Sequence, residues 1–253
     1  MKISFVGSGN VATHLAKAFY HAGFNIFEIC SPTLEHAKLL AEKVEASYLE
    51  NVSELKETDL LVISAKDDEI INIVNLIQTN VGCIVHTSGA TNIDVFKNKF
   101  ENYGVLYPLQ TFSKNTDLDF STVPLCIEGC NSKIESQLIE IGNKLSGSVQ
   151  VIDSLKRKQI HLAAVFVCNF VNHLFAIGDN LLKESHISFD ILMPLIDETV
   201  RKIKMDNPLK VQTGPAVRDD KKVMANHLEL LNGKPEFQEI YKLLSVSIKN
   251  MHS

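Results

Sequence analysis

Residues 2–12 read Lys-Ile-Ser-Phe-Val-Gly-Ser-Gly-Asn-Val-Ala. The apolar residues up to Val6 form a short run typical of a buried strand, and glycines end it. Apolar residues then recur at steps of three and four, which is the spacing of one helix face. Gly23 stands where a helix C-terminal glycine belongs. The stretch therefore predicts a strand, a glycine turn and a helix in succession.

The turn between this strand and helix matches the G-x-G-x-x-A form of a dinucleotide-binding fingerprint. The first glycine permits the tight turn, the second lets a pyrophosphate approach the backbone, and the alanine lets helix and strand pack closely. The helix start adds unpaired N–H groups and a partial charge of about +0.5. A purely structural turn is the alternative. We predict cofactor contacts at Gly7, Ser8, Gly9, Asn10, Val11 and Ala12.

Strands and helices alternate along the first part of the chain, and only helices are predicted from Ser154 onward. Residues 59–65 read Asp-Leu-Leu-Val-Ile-Ser-Ala, and their continuous apolar centre is typical of a parallel strand covered on both faces. The pattern predicts an α/β protein with a doubly wound parallel sheet of the Rossmann type. We place a dinucleotide-binding domain at residues 1–153 and a smaller all-helical domain, for substrate binding and dimerisation, at residues 154–253.

Composition narrows the classes of function. Of the 253 residues, 45% are hydrophobic and 22% charged, with a net charge of −5 and no basic block, so we expect a soluble globular protein without a nucleic-acid partner. We expect neither a signal peptide nor a membrane-spanning segment, because no charge-free apolar run approaches the length needed. The five cysteines form no C-x-x-C pair, which indicates free thiols in a reducing cytoplasm and no metal site.

Ligands of an open α/β sheet bind beyond the carboxyl ends of its strands. The second strand is followed by Ser31 and Thr33 rather than by the acid that an NAD site uses to bind the ribose. These hydroxyls suit a 2′-phosphate. Of the two cofactors NADP and NAD, the residues at the tip of the second strand therefore favour NADP. Ser64 and Ala65 end a later strand, and their small size leaves room along the cofactor.

The strand that ends at His86 is followed by small polar residues. Ser88 and Gly89 suit the close approach of a nicotinamide ring, and we predict that they contact the cofactor. His86 is either a catalytic residue or a core histidine bonded to a backbone carbonyl, and the sequence leaves both readings open. Gln110 and Thr111 follow the next strand and are predicted to face the same cleft and bind substrate.

The helical part adds two candidate groups. His161, Asn169 and His173 recur at multiples of four on an apolar helix, so they share one stripe. Polar groups there either have structural partners or face a cleft. Arg218 lies in a Gly-Pro turn before a helix, where it could clamp a substrate anion. A structural pair with Asp219 or Asp220, or a cap of the helix by Asp219, explains it equally well.

The helix that carries this stripe is apolar almost all round between Leu162 and Ile177. Such a surface must be buried on several sides, and it exceeds what one small domain can cover. We therefore predict a homodimer formed through the C-terminal helices, with the twofold symmetry that is commonest among homo-oligomers.

Together these motifs resemble Rossmann-like proteins with a helical C-terminal domain of unknown function, catalogued as NADP oxidoreductases. The resemblance covers nearly the whole chain. More distantly, the layout is similar to pyrroline-5-carboxylate reductase, ketopantoate reductase and the β-hydroxyacid dehydrogenases. These relatives imply a nicotinamide cofactor, a cleft between two domains and dimerisation through the helices. The segments that carry the resemblance are residues 7–12, 86–90, 107–112, 161–170 and 213–220.

One departure from these relatives concerns catalysis. β-Hydroxyacid dehydrogenases carry a catalytic lysine one turn before an asparagine; Asn169 matches the asparagine, but Val165 stands at the lysine position and cannot move a proton. His161, one turn further back, is the nearest titratable substitute, and histidine titrates near neutral pH. The resemblance thus suggests His161 as general acid and Asn169 as the group that polarises the substrate.

These observations favour an NAD(P)-dependent oxidoreductase that acts on a small carbonyl, imine or hydroxy acid. Hydride transfer would be the chemistry of the cofactor, while the protein orients it and handles the proton. Two alternatives stay open. One is a dinucleotide-binding sensor or assembly protein without turnover, which the missing lysine favours. The other is an oxidoreductase that uses a deazaflavin in place of nicotinamide.

Overall fold

A computed structural model describes residues 1–114 and 116–252 of the chain. The chain divides into two compact units, Met1–Cys168 and Asn169–Ser253. The boundary predicted at Asp153 marks the start of the helical part, whereas the compact units divide further along, after Cys168.

The first unit is built on one eight-stranded sheet of spatial order β3-β2-β1-β4-β5-β6-β7-β8. The order reverses direction at β1, so the ends of β1 and β4 form the switch point where doubly wound sheets bind ligands. This arrangement confirms the predicted Rossmann-type fold. The strands are β1 (Lys2–Val6), β2 (Asn25–Cys30), β3 (Ser47–Leu49), β4 (Thr58–Ile63), β5 (Val81–His86), β6 (Tyr103–Pro108), β7 (Leu125–Gly129) and β8 (Val149–Val151).

Two strands, β7 and β8, depart from the predicted parallel sheet and run opposite to the other six. β7 pairs antiparallel with β6, while every other neighbouring pair is parallel. A parallel connection needs a crossover, usually a helix. Between β6 and β7 the described residues form only a short 3₁₀ turn, Phe120–Thr122, so the chain returns along the same edge.

The helices of the first unit cover both faces of the sheet. One face packs the apolar side of the first helix, including Leu15 and Phe19, against Phe5. The other face packs Ile70 and Phe96 onto the central strands. Full burial of such a side chain contributes roughly 1.5–3 kcal/mol to the stability of the fold. The packing on both faces therefore holds the strand ends in place. The helices are α1 (Asn10–His21), α2 (Leu34–Lys43), α3 (Asp67–Leu76), α4 (Ser132–Leu145) and α5 (Ser154–Ala164).

A π-helix, Val165–Phe170, follows α5 directly, and the chain continues as α-helix after it. Within the described residues no strand follows β8, as the sequence predicts. The second unit holds α6 (Val171–Lys183), α7 (Met193–Met205), α8 (Lys221–Leu230) and α9 (Pro235–Met251).

The helical stretch Ser154–Lys183 is long and apolar enough to cross a bilayer, judged by length and composition alone, with a mean hydropathy of 1.8 in its most apolar window. This finding corrects the expectation that no segment reaches that length, because an apolar window can include a few charges. A single stretch of this kind is weak evidence of membrane insertion. None of that window is buried in the single chain, and Leu162 and Val167 are 59% and 68% exposed.

Candidate functional site

The glycine turn after β1 is held by three strands at once. Gly7 has φ +117°, and its N–H donates to the carbonyl of Cys30 at 2.8 Å. A Cβ at Gly7 would lie 2.0 Å from the carbonyl oxygen of Ser64. Both the backbone angle and the contact therefore require glycine. The turn brings the ends of β1, β2 and β4 together.

Gly9 and the start of α1 provide the space and the donors that a pyrophosphate needs. A Cβ at Gly9 would meet no atom within 4 Å, so the backbone faces open space. No side chain caps α1 at this end, and its first turn contains no acidic residue. The N–H groups of Asn10 and Val11 thus belong to an uncapped helix start, which attracts anions. Ala12 is fully buried beneath it. These residues fit a dinucleotide.

Two buried serines join the tips of β1 and β2. The Ser8 hydroxyl donates to the Ser31 hydroxyl at 2.8 Å, which leaves the Ser31 proton free to donate. Thr33 is exposed beside them and does not cap α2 through its side chain. Glu28, the nearest preceding acid, is 1% exposed inside β2 and accepts the N–H of Lys56. The tip therefore presents hydroxyls and no carboxylate.

The loop after β6 folds back onto the start of α1. The Asn10 amide donates to the carbonyl of Phe112 at 2.8 Å, and His14 Nε2 lies 2.9 Å from the carbonyl of Ser113. The rings of His14 and Phe112 also pack together. The side chain of Asn10, predicted to contact cofactor, is thus engaged by this loop, and its backbone N–H is the part that remains for a phosphate.

Gln110 and Thr111, the predicted substrate contacts, lie in the same loop and are exposed. The side-chain oxygen of Gln110 accepts the N–H of Thr111 at 2.8 Å. Their position beyond the carboxyl end of β6 matches the prediction, and whether they bind substrate stays a prediction.

The loop after β5 is shaped by its own serine. Ser88 accepts the backbone N–H groups of Ala90 and Thr91 at 3.0 and 2.9 Å, which closes a tight turn. The Thr87 hydroxyl donates to Ser64 at 3.2 Å and joins the ends of β5 and β4. Ala65 follows Ser64 and is half-buried. The predicted cofactor contacts in these loops thus lie at adjacent strand ends.

His86 is buried in the core of the first unit. Its Nδ1 accepts the N–H of Ser88 at 3.2 Å, and its ring packs on Phe96. Burial, followed by the nearby charge of Arg157, lowers the pKa of His86 to about 3. The imidazole is therefore neutral at physiological pH, with its one proton on Nε2, and a neutral imidazole is too weak an acid to protonate a substrate. Of the two readings that the sequence left open, this environment suits the core histidine, although its partner is a backbone N–H rather than a carbonyl.

Arg157 organises the site, and sequence reasoning missed it. This guanidinium is fully buried. It donates to the carbonyls of Ser88 at 3.2 Å and Thr91 at 2.6 Å, and it forms an ion pair with Glu128 of β7. Ser154 completes the network by donating to Glu128 at 2.7 Å. Removal of one partner of such a buried ion pair lowers the stability of the fold by about 3–5 kcal/mol. The network ties α5 to the loop after β5.

The only available signal for Arg157 was its spacing. Arg157 stands four residues before His161, so both lie on one face of α5. Nothing in the sequence shows that this arginine is buried or that Glu128 is its partner.

His161 lies directly on the loop that Arg157 holds. A Cβ at Gly89 would lie 2.7 Å from Cγ and Nδ1 of His161, so the imidazole rests on the bare backbone of this glycine. Nδ1 also lies 3.2 Å from the hydroxyl of Tyr107, the penultimate residue of β6. The side chain is half-buried. A titratable ring thus stands at the carboxyl ends of β5 and β6.

Asn169 and Arg218 belong to the second unit, and both are exposed. Asn169 lies in the π-helix, so the regular spacing assumed for the stripe of His161, Asn169 and His173 was wrong across this segment. Beside Arg218, Asp219 pairs with Lys249 at 2.8 Å and the Asp220 side chain caps α8. The cap predicted at the first aspartate thus belongs to the second. Roles for Asn169 and Arg218 in the reaction stay predictions.

In residues 1–114 and 116–252, no group of three or more His, Cys, Asp or Glu side chains is arranged to hold a metal ion.

Comparison with protein families divides the chain in two. Residues 2–85 match the family described as NADP oxidoreductase, coenzyme F420-dependent. Residues 123–248 match a domain of unknown function, DUF2520. A comparison with curated proteins gives no match.

Solved structures give matches over the full length. A protein of Bacteroides fragilis, described as a putative NADP oxidoreductase, is 42% identical, with 98% of each chain covered and a TM-score of 0.92. An imine reductase of Myxococcus stipitatus, solved with NADP⁺, is 13% identical over 99% of this chain and 92% of its own, with a TM-score of 0.65. A 1-pyrroline-5-carboxylate reductase of Streptococcus pyogenes is 13% identical over 99% and 98%, with a TM-score of 0.61.

At 13% identity, the imine and pyrroline-5-carboxylate reductases show the fold alone. The Bacteroides match extends over both parts of the chain at an identity that reflects common descent. The matches confirm the resemblance inferred from the sequence motifs.

Proposed function

The chain belongs to the same family as the Bacteroides fragilis protein, with an NADP oxidoreductase domain followed by DUF2520, and we propose that it is an NAD(P)-dependent reductase of a small imine or carbonyl compound. One observation carries the proposal. His161 stands on Gly89 at the carboxyl end of β5, next to the switch point between β1 and β4 beyond which an open α/β sheet binds its ligand. A proton donor beside that position is what reduction of a C=N or C=O bond requires.

The residues that would hold the cofactor follow the strand ends. The backbone of Gly9, Asn10 and Val11 would bind the pyrophosphate at the uncapped helix start. Ser31 and Thr33 would bind the ribose end. The hydroxyls at this tip, with Glu28 buried and bonded elsewhere, support NADP over NAD. A nicotinamide bound along these strands would supply the hydride.

The chain's own residues would handle the proton. Reduction adds a hydride to the carbon of the C=N or C=O bond and a proton to its nitrogen or oxygen, which gives an amine or an alcohol. We assign this proton to Nε2 of His161, because Nδ1 faces Tyr107. From the family resemblance we also assign Asn169 to polarising the substrate, and from its position in the Gly-Pro turn we assign Arg218 to holding a carboxylate. His86 is given no part in proton transfer, because its pKa of about 3 keeps it neutral.

Two other functions are tested by the same experiment. A sensor would bind the nucleotide without turnover, and a deazaflavin-dependent enzyme would prefer reduced F420, the coenzyme named for the family that matches residues 2–85. We would identify any co-purified nucleotide by mass spectrometry and titrate the protein with NADPH, NADH and reduced F420. Oxidation of the bound nucleotide would then be followed with a panel of cyclic imines, aldehydes and 2-oxo acids.

We expect NADPH to bind most tightly and at least one imine or carbonyl compound to be reduced. Binding of NADPH with no turnover across the panel would overturn the reductase in favour of the sensor. Tight binding of F420 alone would overturn the nicotinamide assignment.

We also propose that the protein is a homodimer formed through its C-terminal helices. Leu162, Val167 and Leu195 are large apolar side chains that are each about 60% exposed or more in the single chain. An exposed apolar surface of this kind is typical of an interface. The start of the same helical stretch is tied to the sheet through Arg157, which favours a second copy over a bilayer as its partner. Five free cysteines fit a reducing cytoplasm.

Light scattering should therefore give twice the 28.2 kDa mass of the chain at micromolar concentration. Val167→Glu should produce a monomer, because it places a charge in the interface. Leu39→Glu is the matched control, since Leu39 is 51% exposed on α2 in the first unit, and it should stay dimeric. A monomeric wild type, or sedimentation of the protein with lipid vesicles, would contradict the proposal.

A further inference from the structure

Tyr107 is a buried tyrosine whose hydroxyl the proposed reaction does not use. It lies near the end of β6, and 9% of its surface is exposed. Its ring packs among Ile93, Val105 and Cys126. Its hydroxyl lies 3.2 Å from Nδ1 of His161, and the two rings meet edge to face. Packing therefore fixes the tyrosine, and the hydroxyl is presented to the histidine.

The phenol can serve either protonation state of the histidine. Burial, above all, raises the pKa of Tyr107 to about 12, so the hydroxyl keeps its proton at physiological pH. A hydroxyl donates one hydrogen bond and accepts others, and it rotates to suit its partner. It can donate to Nδ1 of neutral His161, and it can accept from Nδ1–H when the ring is charged. In both states the hydroxyl of Tyr107 is the hydrogen-bond partner of Nδ1.

A second contact fixes the plane of the imidazole. The ring of His161 lies on the backbone of Gly89, where a Cβ would approach it to 2.7 Å. Arg157 holds the same loop through the carbonyls of Ser88 and Thr91. With Nδ1 bound to Tyr107 and one side of the ring against Gly89, Nε2 is the nitrogen left for a ligand.

We propose that Tyr107 is the positioning residue that keeps Nε2 of His161 available to the substrate throughout the reaction. The proposal rests on the proposed role of His161. The acid is the charged ring: when Nε2 gives its proton to the nitrogen or oxygen of the substrate, the ring becomes neutral and retains Nδ1–H, which Tyr107 accepts. Solvent then exchanges the remaining proton, and in the resting neutral enzyme the phenol donates to Nδ1, so the proton of the imidazole sits on Nε2. A second proton from solvent recharges the ring before the next transfer.

The first test is spectroscopic and needs neither cofactor nor substrate. Nitrogen-15 NMR of the full-length protein, with the His161 signals identified from a His161→Gln spectrum, reports which ring nitrogen carries the proton. We expect a single Nε2–H tautomer with a hydrogen-bonded Nδ1 in wild type. Tyr107→Phe removes only the hydroxyl and should shift the Nδ1 signal and mix the tautomers. Tyr103→Phe is the control, since it removes a hydroxyl at the other end of β6 and should leave His161 unchanged. Identical His161 signals in wild type and Tyr107→Phe would overturn the proposal.

The second test is kinetic and separates positioning from a structural role. Tyr107→Phe should lower kcat by up to about tenfold, the equivalent of one hydrogen bond, and should leave the KM for NADPH unchanged. In a His161→Gln background the same change should have no further effect, because the two residues act as a unit. Equal losses in both backgrounds would show that Tyr107 acts on the fold. If the protein has no reductase activity, the NMR result still decides whether Tyr107 orients His161, so the two failures are distinguishable.

Discussion

Replacement of His161 by glutamine should lower kcat by about 10²–10⁴-fold, the usual loss when a general acid is removed. Glutamine has a similar length and can still lie on Gly89, but its amide does not titrate. The affinity for NADPH should stay the same, because we place His161 at the reactive end of the cofactor, and no atom of His161 lies within 4 Å of a Cβ built at Gly9. Steady-state kinetics from pH 5.5 to 8.5 would span the reference histidine pKa of roughly 6.5.

The matched control for this variant is His173→Gln. His173 is an exposed histidine of α6 in the second unit, and its loss should leave kcat close to the wild-type value. A His161→Gln enzyme with normal kcat across the pH range would remove His161 from the mechanism. Because His86 is buried and neutral, that result would also require a proton donor outside both histidines.

Gly9→Val should abolish nucleotide binding without unfolding the protein. A Cβ at Gly9 meets no atom of the chain within 4 Å, so the valine fits the fold. Its branched side chain would instead occupy the space beside the helix start where we propose that the pyrophosphate binds. The loss of one hydrogen bond to a charged group costs roughly 1.5–3 kcal/mol of binding free energy. We therefore expect the Kd for NADPH to rise about 100-fold or more in calorimetric titration.

Gly7→Ala provides the contrasting control. Gly7 combines φ +117° with a site where a Cβ would lie 2.0 Å from the carbonyl oxygen of Ser64, so this smaller change should lower the unfolding temperature. Gly9→Val should unfold at a temperature close to that of wild type. Equal NADPH affinity in wild type and Gly9→Val would show that the nucleotide binds elsewhere.

The local elements were predictable because each depends on short stretches of sequence. The apolar stretch within residues 59–65 placed β4, and the glycine turn placed β1 and α1. The π-helix was not predictable, because the same apolar residues fit an uninterrupted α-helix. The antiparallel direction of β7 depends on a connection without a helix, which no strand pattern reveals.

Only the parts of the candidate site that depend on short stretches of sequence were predictable. Its strand ends followed from the fold, and His161 was identified as titratable. The partners that orient it are distant in sequence: Tyr107 is 54 residues away from His161, and Arg157 is 29 residues away from Glu128. A buried arginine looks like a surface residue in a sequence, since burial of its charge depends on a carboxylate that only the folded chain brings near.

The Arg157 network has a consequence for the engineering of this protein. One guanidinium holds residues 88–91 and ties them to α5, the helix of His161, so the groups proposed to meet the cofactor and the proposed proton donor form one piece of scaffold. Gln110 and Thr111 lie outside that piece and are bonded to one another. A library that seeks new substrates should therefore vary these two exposed positions and keep Arg157 and its partners intact. Chemistry and selectivity would then be adjustable separately.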